Sequence, residues 1–248
     1  MNVDTNSAIS VDCAVFGFDG QSLKVLLIRR RYVSEGVNPD DLKLPGAMIM
    51  ENETLPDAAS RVLKESTGLS GINLKQTEIY SNPARTSAQE LEWICEFHGI
   101  RTSRVITVGY YALVKLTRGI VAYTSRKGAH WVDIDKVRNL IMDHMEILGD
   151  ALSILQKEFS HTPVAFDLLP KKFTIRQMQN LFETIFGVVI DNRNFRKKIL
   201  TSGLLIATGE LEKNVAHKPA MYYMFNKKAY NKEMKAKFKL SFLDNMSY

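Results

Sequence analysis

The sequence predicts an α+β protein of two domains, the first over residues 1–160 and the second over residues 161–248. Two observations support this. Strand-like and helix-like segments are mixed in the first part, whereas from Thr174 two amphipathic helices precede a pair of short strands. The two parts also differ in net charge. Residues 171–248 contain fifteen Lys or Arg and six Asp or Glu, a net charge of +9, whereas residues 1–170 have a net charge of −3. We therefore expect the basic domain to bind a polyanion.

The first domain begins with a predicted hairpin. Val11–Phe18 and Leu23–Ile28 are apolar runs separated by Asp19-Gly20, a pair typical of a hairpin turn. Arg29-Arg30-Arg31 closes the second strand. The other strands predicted in this domain are Leu74–Tyr80, Val105–Leu116 and His130–Asp133.

A helix is predicted over Leu55–Thr67. Thr54 can cap its first turn, Pro56 and Asp57 suit that turn, and Gly68 can end the helix. This segment therefore has both of its ends marked by local sequence signals.

The loop and helix over residues 47–69 resemble the Nudix box, which is Gly, five residues, Glu, seven residues, then Arg-Glu-aliphatic-X-Glu-Glu-X-Gly-aliphatic. The positions that match are Glu53, Arg61, Leu63, Glu65, Gly68 and Leu69. Ala47 replaces the first glycine, and Val62 and Ser66 stand where the family has glutamates. The resemblance implies a Nudix-like α/β/α sandwich with a degenerate box.

Two missing carboxylates bear directly on catalysis. In Nudix enzymes one helix face carries three carboxylates, which hold Mg²⁺ or Mn²⁺ against a diphosphate. Only Glu65 remains here, beside Val62 and Ser66. We therefore expect no catalytic residues, no metal, no cofactor and no enzyme activity. The alternative is that this segment is an ordinary amphipathic helix unrelated to the Nudix box. That alternative does not explain why Glu53, Arg61, Glu65 and Gly68 have the spacing of the family.

Residues 85–103 resemble an insertion relative to the family and contain a helix-like stretch, Ala88–Phe97. A lid, a dimer contact or no role are all open for it. After the last strand, a helix from about Lys136 and another capped by Asp143 and running to about Phe159 are predicted to close the domain.

Composition restricts the location of the protein. No run of eighteen apolar residues is present, so no membrane span is expected. Met1–Ser10 is polar and does not resemble a secretory signal. Cys13 and Cys95 form no disulfide framework, so a reduced, cytoplasmic protein is expected.

The second domain is predicted to begin with two helices. Thr174 caps a helix that ends at Gly187, and Asp191 or Asn192 caps a second one that ends at Gly203. The apolar stripe of the first helix consists of Ile175, Met178, Leu181, Phe182 and Ile185.

Two strands follow these helices. Leu204–Thr208 and Met221–Phe225 are predicted to pair around a polar loop, Gly209–Ala220, and a basic tail follows from Lys227 to Lys239. Two helices and a two-stranded wing form a winged helix-turn-helix domain, which typically binds DNA.

The second helix has a division of faces that suits a DNA groove. Phe195 and Ile199, along with Leu200, are expected to seat it on the core, so that its basic residues face outward. Considered without the rest of the domain, such a helix could equally have a basic face that is only exposed to solvent and binds no DNA. The DNA-binding residues that we predict are Arg193, Asn194, Arg196, Lys197, His217 and Lys218.

The second domain resembles the winged-helix half of the Nudix-related transcriptional regulators of NrtR type. The motifs that carry the resemblance are Leu168-Leu169-Pro170, Phe173-Thr174, Leu181-Phe182-Glu183, Gly187, Asp191, Arg193-Asn194-Phe195-Arg196-Lys197 and Ser202-Gly203. It implies a homodimeric repressor or activator that binds a near-palindromic double-stranded DNA operator. It also implies a Nudix domain that senses a small-molecule effector.

The resemblance does not decide the identity of the effector, because the family has two branches that sense different small molecules. One branch senses ADP-ribose and serves NAD metabolism, and another, in Bacteroidetes, senses sugars such as arabinose and controls pentose catabolism. Asp191–Arg196 and Phe225–Tyr230 look closer to the sugar branch. We therefore expect a regulator of pentose catabolism, with an ADP-ribose sensor as the alternative.

Effector-binding candidates are polar groups near the degenerate helix and the strands facing it, namely Arg29, Glu53, Arg61, Glu65 and Arg104. An aromatic face for a sugar could come from Tyr110 or Trp131. Arg61 and Glu65 could instead form a structural ion pair.

Two other functions are open at this point. One is a hydrolase of ADP-ribose or a nucleotide sugar with an appended nucleic-acid-binding domain. The other is an RNA-binding module, although the chain lacks the exposed aromatic platform that single-stranded RNA favours.

Overall fold

The computed structural model describes residues 5–30, 41–99 and 101–231 of the 248-residue chain. These residues form two compact units. The first contains residues up to Gly17 and Lys24–Ser153, and the second contains Phe18–Leu23 and the chain from Ile154 onwards. Arg31, at the end of the second predicted strand, and the basic tail beyond residue 231 lie outside the described residues.

The first unit combines a seven-stranded sheet with helices. Its strands are β1 (Thr5–Phe18), β2 (Leu23–Arg29), β3 (Leu42–Lys43), β4 (Gly46–Met50), β5 (Leu74–Tyr80), β6 (Ile106–Lys115) and β7 (Ala129–Asp133). Its helices are α1 (Leu55–Thr67), α2 (Ala88–His98), α3 (Arg118–Arg126) and the beginning of α4 (His144–His161). No helix in the described part of the chain is long and apolar enough to cross a membrane.

The sheet of the first unit has the order β3-β2-β1-β6-β5, with β4 paired to β1 and β7 paired to β2. Every residue of β1 from Val11 to Phe18 is buried, as expected for a central strand whose two faces are covered. Helix α1 packs on this sheet through Ala58, Ala59, Val62 and Leu63.

The predicted helix α1 is confirmed at both ends. The Thr54 hydroxyl accepts a hydrogen bond from the Asp57 amide, and the Asp57 carboxylate accepts one in return from the Thr54 amide, which completes a capping box. Gly68 ends the helix with φ 80°, a left-handed conformation that glycine adopts at little cost. The helix-like stretch in residues 85–103 is confirmed as α2.

Two predictions for the first unit are wrong. The predicted helix from about Lys136 does not form, because only a 3₁₀ turn over Ile134–Lys136 occurs there and Val137 is extended. Strand β1 begins at Thr5 rather than Val11, because its polar start pairs with β4. Helix α3, capped by the Thr117 hydroxyl, was not expected from the sequence.

The second unit is a winged helix. Its helices after α4 are α5 (Ala165–Leu168), α6 (Ile175–Phe186), α7 (Asn192–Thr201) and α8 (Lys227–Ala229), and its strands are β8 (Phe173–Thr174), β9 (Leu205–Leu211) and β10 (Met221–Phe225). The caps predicted for α6, at Thr174 and Gly187, are confirmed, as is Asp191 for α7.

An aromatic cluster forms the core of the second unit. The ring centroid of Phe182 lies 5.5 Å from that of Phe159 and 5.7 Å from that of Phe195. Phe166 stacks on Phe225 at 4.0 Å. The contacts of Phe182 join α4, α6 and α7, and the Phe166–Phe225 stack joins α5 and β10, so that α7 is held by buried rings on α4 and α6.

Three details of the second unit differ from expectation. A third strand, β8, pairs with β10. Strand β9 continues to Leu211, so the polar loop begins at Glu212 rather than Gly209. Leu200 does not help to seat α7, because it follows Ile199 by 100° around the helix and is 41% exposed.

Candidate functional site

The first unit contains a cavity of about 480 Å³ that is formed between α1 and the strands facing it. Its volume lies within the range of small-molecule sites. The lining residues are Ile28, Arg29, Arg30, Lys43, Gly46, Ala47, Val62, Glu65, Ser66, Trp93, Lys127, Gly128 and His130.

The face of α1 that lines this cavity is the one that carries carboxylates in Nudix enzymes. It presents Val62, Glu65 and Ser66 to the cavity. The Ser66 hydroxyl donates a hydrogen bond to the Val62 carbonyl oxygen. Hard divalent cations require several oxygen ligands, and among the described residues no group of three or more Asp, Glu, His or Cys could hold a metal ion. Among the described residues, this face of α1 therefore offers one carboxylate, Glu65, where Nudix enzymes have three.

Arg61 and Glu53 lie away from the cavity and fasten the loop that follows β4. Arg61 Nη2 lies 2.6 Å from Glu53 Oε1 and 3.0 Å from the Met48 carbonyl oxygen. The Met50 amide donates to Glu53 Oε1 at 2.7 Å. The hydrogen bond from Arg61 lowers the pKa of Glu53 and raises that of Arg61. Arg61 also approaches Glu65 at 3.2 Å.

Positive charge dominates the cavity wall. Arg29, Arg30, Lys43 and Lys127 line it, and Glu65 is the one carboxylate that lines it among the residues that the structure describes. An arrangement of four cations around one carboxylate favours an anionic ligand.

Lys43 lines the cavity and is hydrogen-bonded to the backbone of Gly46. Its Nζ donates to the Gly46 carbonyl oxygen at 3.0 Å. Burial lowers the pKa of Lys43, and the charge of nearby Asp12 opposes this shift. A Cβ at Gly46 would lie 1.6 Å from Asp12 Oδ1, so the close approach of that carboxylate requires glycine there.

The aromatic side chain in the cavity is Trp93, on α2. The guanidinium carbon of Arg30 lies 4.1 Å from the Trp93 ring centroid, a distance typical of cation–π stacking. Tyr110 is instead buried in the core, and Trp131 Nε1 donates to the Thr124 hydroxyl at 3.1 Å.

Of the five effector residues predicted from the sequence, the cavity brings together Arg29 and Glu65. Arg104 lies elsewhere and donates to the Ser81 carbonyl oxygen at 2.5 Å. Sequence reasoning missed Arg30, Lys43, Trp93, Lys127 and His130 as lining residues. Two signals were present for them: Arg30 directly follows Arg29, and Trp93 is an aromatic residue within an otherwise acidic helix.

Helix α7 of the second unit presents a basic face. Arg193, Asn194, Arg196 and Lys197 are all exposed, whereas Phe195 and Ile199 are buried. The Asn194 amide donates to the Asp191 carboxylate at 2.7 Å, so Asn194 contributes its backbone to the cap and leaves its side chain on the surface.

The connection between α6 and α7 is fixed by buried polar contacts. Gln179 Nε2 donates to the Ile190 carbonyl oxygen at 2.8 Å, and the Ile190 amide donates to Glu183 Oε1 at 2.9 Å. Gln179 also donates to Glu183 at 2.9 Å. This network sets the angle at which α7 leaves α6.

The loop between β9 and β10 carries the wing residues. His217 and Lys218 are exposed there, and Lys213 is exposed nearby. Glu212 anchors the end of the loop by accepting a hydrogen bond from the Ala220 amide at 3.1 Å. A basic helix and a basic wing loop therefore belong to the same compact unit, as in winged-helix DNA readers.

Sequence comparison identifies the family. Residues 6–148 match the NUDIX domain, and residues 165–225 match the NrtR DNA-binding winged helix domain. The first match alone spans more than half of the chain. The chain belongs to the Nudix family and has the NrtR-type arrangement, in which a Nudix domain precedes a winged helix domain. The predicted fold class is thereby confirmed.

Three relatives illustrate this assignment. The chain is 27% identical over 221 residues to the ADPR responsive transcriptional repressor NtrR of Acinetobacter baylyi, covering 88% of this chain and 81% of the relative. The crystal structure of Shewanella oneidensis NrtR complexed with a 27mer DNA is similar with a TM-score of 0.65 and 24% identity, covering 88% and 93% of the two chains. A MutT/nudix family protein from Enterococcus faecalis is similar with a TM-score of 0.59 and 23% identity, covering 89% and 86%.

Proposed function

We propose that this chain is an ADP-ribose-responsive, DNA-binding transcriptional regulator whose Nudix domain senses its ligand without hydrolysing it. The observation that carries the proposal is the cavity beside α1, whose lining, within the described part of the chain, contains Arg29, Arg30, Lys43 and Lys127 and one carboxylate, Glu65. A diphosphate is the kind of ligand that such a wall attracts. The relative from Acinetobacter baylyi, described as ADPR responsive, supports the same ligand.

A pentose effector, which the sequence favoured, receives no support from the comparisons. A neutral sugar is recognised by paired donors and acceptors, and it carries no negative charge that the four cations in this site would attract. The aromatic faces proposed for a sugar, Tyr110 and Trp131, do not line the cavity. ADP-ribose, which was the alternative, suits the charge better.

The DNA-binding part of the proposal relies on α7 and the wing. Arg193, Arg196 and Lys197 are exposed on a helix that Phe195 and Ile199 anchor. A single winged helix buries only about 600–1,000 Å², which is small for tight specific binding. The proposal therefore includes a homodimer that binds two half-sites of a near-palindrome, spaced by about one helical turn or a multiple of it.

Hydrolysis is the second candidate function, since the family contains hydrolases. It is disfavoured because Val62 and Ser66 replace two carboxylates and because Arg61 engages both Glu53 and Glu65. A role as an RNA-binding module has no observation of its own in its favour.

Ligand binding is tested by calorimetry of the full chain with ADP-ribose and, separately, with arabinose and xylose. The proposal expects ADP-ribose to bind with a dissociation constant of about 1–100 μM, corresponding to about 5–8 kcal/mol. It expects no measurable heat from either pentose. Saturable binding of a pentose without binding of ADP-ribose would reinstate the sugar-sensing hypothesis.

A further inference from the structure

Arg30 is a nearly buried cation whose donors are incompletely used. Its side chain is only 9% exposed and lines the cavity. Its Nη1 lies 3.9 Å from Asp41 Oδ2, at the limit of an ion pair, and its Nε has no hydrogen-bond partner among the residues that the structure describes. A guanidinium carries five N–H donors, and leaving them unmatched in a buried place is costly. Such a group is expected to find its remaining acceptor in a ligand.

Trp93 determines the orientation of this guanidinium. The two groups stack at 4.1 Å, and the indole is 7% exposed. The indole covers one side of the guanidinium and so limits the orientations that it can take.

The helix that carries Trp93 is itself firmly placed in the first unit. Trp93 and Ile94 pack in a small apolar cluster with Met48 and Val105. The turn before α2 is held by Arg85, whose Nε and Nη2 each lie 2.6 Å from the Asp143 carboxylate. A capping box formed by Ser87 and Glu90 then starts the helix. Helix α2 is therefore an integral wall of the cavity.

We propose that Trp93 is a positioning residue of the ligand cavity, which holds the Arg30 guanidinium in place to bind an anionic phosphate oxygen of the ligand. The inference rests on the proposed anionic ligand and assigns Arg30 and Trp93 to its recognition. It also gives a role to the segment 85–103, which supplies the aromatic surface on which the anion-binding arginine lies.

A double-mutant cycle separates positioning from direct contact. The variants are Arg30→Gln, Trp93→Leu and their combination, titrated with ADP-ribose by calorimetry. Loss of one charge-assisted hydrogen bond predicts that Arg30→Gln weakens binding by about tenfold to a hundredfold. Trp93→Leu should weaken binding at least about fivefold in the wild-type background and less than about twofold in the Arg30→Gln background. Trp93→Phe, which keeps an aromatic face, should retain most of the affinity.

Two controls accompany the cycle. Arg118→Gln removes an exposed arginine that does not line the cavity and should leave the affinity unchanged. The chain has only two tryptophans, so Trp131→Phe leaves Trp93 as the sole indole emitter. In that variant ADP-ribose should change the fluorescence, whereas in Trp93→Phe the emission of Trp131 should stay constant. Thermal melting of each variant checks that it is folded.

The outcomes distinguish this inference from the proposed function. Equal losses from Trp93→Leu in both backgrounds would overturn the inference, because Trp93 would then act independently of Arg30. Inorganic pyrophosphate is titrated in parallel because it carries the anionic groups alone. If ADP-ribose fails to bind while pyrophosphate gives the non-additive pattern, the proposed function falls and the inference stands. If neither anion binds the wild-type chain, both fall.

Discussion

Arg61 holds the Glu53 carboxylate with two parallel hydrogen bonds, from Nε to Oε2 at 2.9 Å and from Nη2 to Oε1 at 2.6 Å. Both residues match the Nudix pattern, yet neither lines the cavity. The surviving part of the box is thus a clamp between the loop after β4 and helix α1.

Breaking this clamp should destabilise the fold. Arg61→Ala leaves Glu53, which is 12% exposed, without its cation, and we expect a loss of about 2–4 kcal/mol in the free energy of unfolding. Arg61→Lys should recover part of this loss, since lysine keeps the charge but not the bidentate geometry. Urea unfolding measures the change. An Arg61→Ala chain that is as stable as wild type would contradict this account.

Hydrolysis should be absent at the rates of ordinary enzymes. With Mg²⁺ or Mn²⁺ present, we expect turnover of ADP-ribose and of nucleotide sugars to stay far below about 1 s⁻¹. The physical reason is that Val62 and Ser66 supply no carboxylate to hold the metal against the diphosphate. Chromatographic detection of AMP release provides the measurement, and turnover approaching that rate would restore the hydrolase hypothesis.

The basic helix and the wing should contribute to DNA binding in different ways. Arg196→Ala is expected to cost about 1–3 kcal/mol per base contact and to relax sequence preference, because Arg196 is exposed on α7. Lys218→Ala should weaken binding evenly across sequences and reduce the salt dependence by about one unit.

Titration of a specific and a scrambled duplex at two salt concentrations separates these effects. Arg126→Ala removes an exposed arginine from the first unit and should leave DNA affinity unchanged, so it serves as the matched control. If Arg193→Ala and Arg196→Ala both bind the specific duplex as tightly as wild type, α7 is not the reading helix.

Acid should destabilise the first unit through His144. Its Nδ1 accepts a hydrogen bond from the Leu44 amide at 3.1 Å, and burial, followed by the charge of Lys43, lowers its pKa to about 3. Histidine in an unfolded chain titrates near pH 6.5. The unfolded state therefore binds more protons between these values, and stability falls by up to about 1.4 kcal/mol per unit as pH decreases through that window.

The matched control is His144→Asn, which keeps an acceptor for Leu44 but does not titrate. Urea unfolding at about pH 7, 6 and 5 should show a shallower pH dependence for this variant than for wild type. Identical slopes would show that His144 does not titrate differently on unfolding.

Local sequence signals were sufficient to predict the helices whose capping residues or apolar spacing are present in the segment itself. Helix α1 could be predicted from Thr54 and Gly68, and the inner and outer faces of α7 from the spacing of Phe195 and Ile199. Leu200 was misplaced, because apolar character alone does not say on which side of a helix a residue lies. The absent helix after Asp133 shows a similar limit, since Asp133 pairs there with Lys24, which is far away in the chain, as well as with the nearby Lys136.

The cavity could be predicted only in part for a related reason. Glu65 belongs to the box, and Arg29 ends a strand that the apolar pattern predicts. Arg30 and Trp93 are in contact because α2 packs beside the end of β2. A local sequence pattern does not predict a contact between residues so far apart in the chain. The charge of the cavity likewise comes from separate segments, each of which contributes one or two cations.

The most direct test of the account is the effect of ADP-ribose on DNA binding by the full chain. A duplex selected from a random pool by the wild-type protein is titrated by fluorescence anisotropy, with and without saturating ADP-ribose, and with arabinose as a control. Coupling between the two sites predicts that ADP-ribose changes the DNA affinity by roughly 5–150-fold, while arabinose leaves it unchanged. An affinity that stays the same at ADP-ribose concentrations shown by calorimetry to saturate the chain would contradict the central claim.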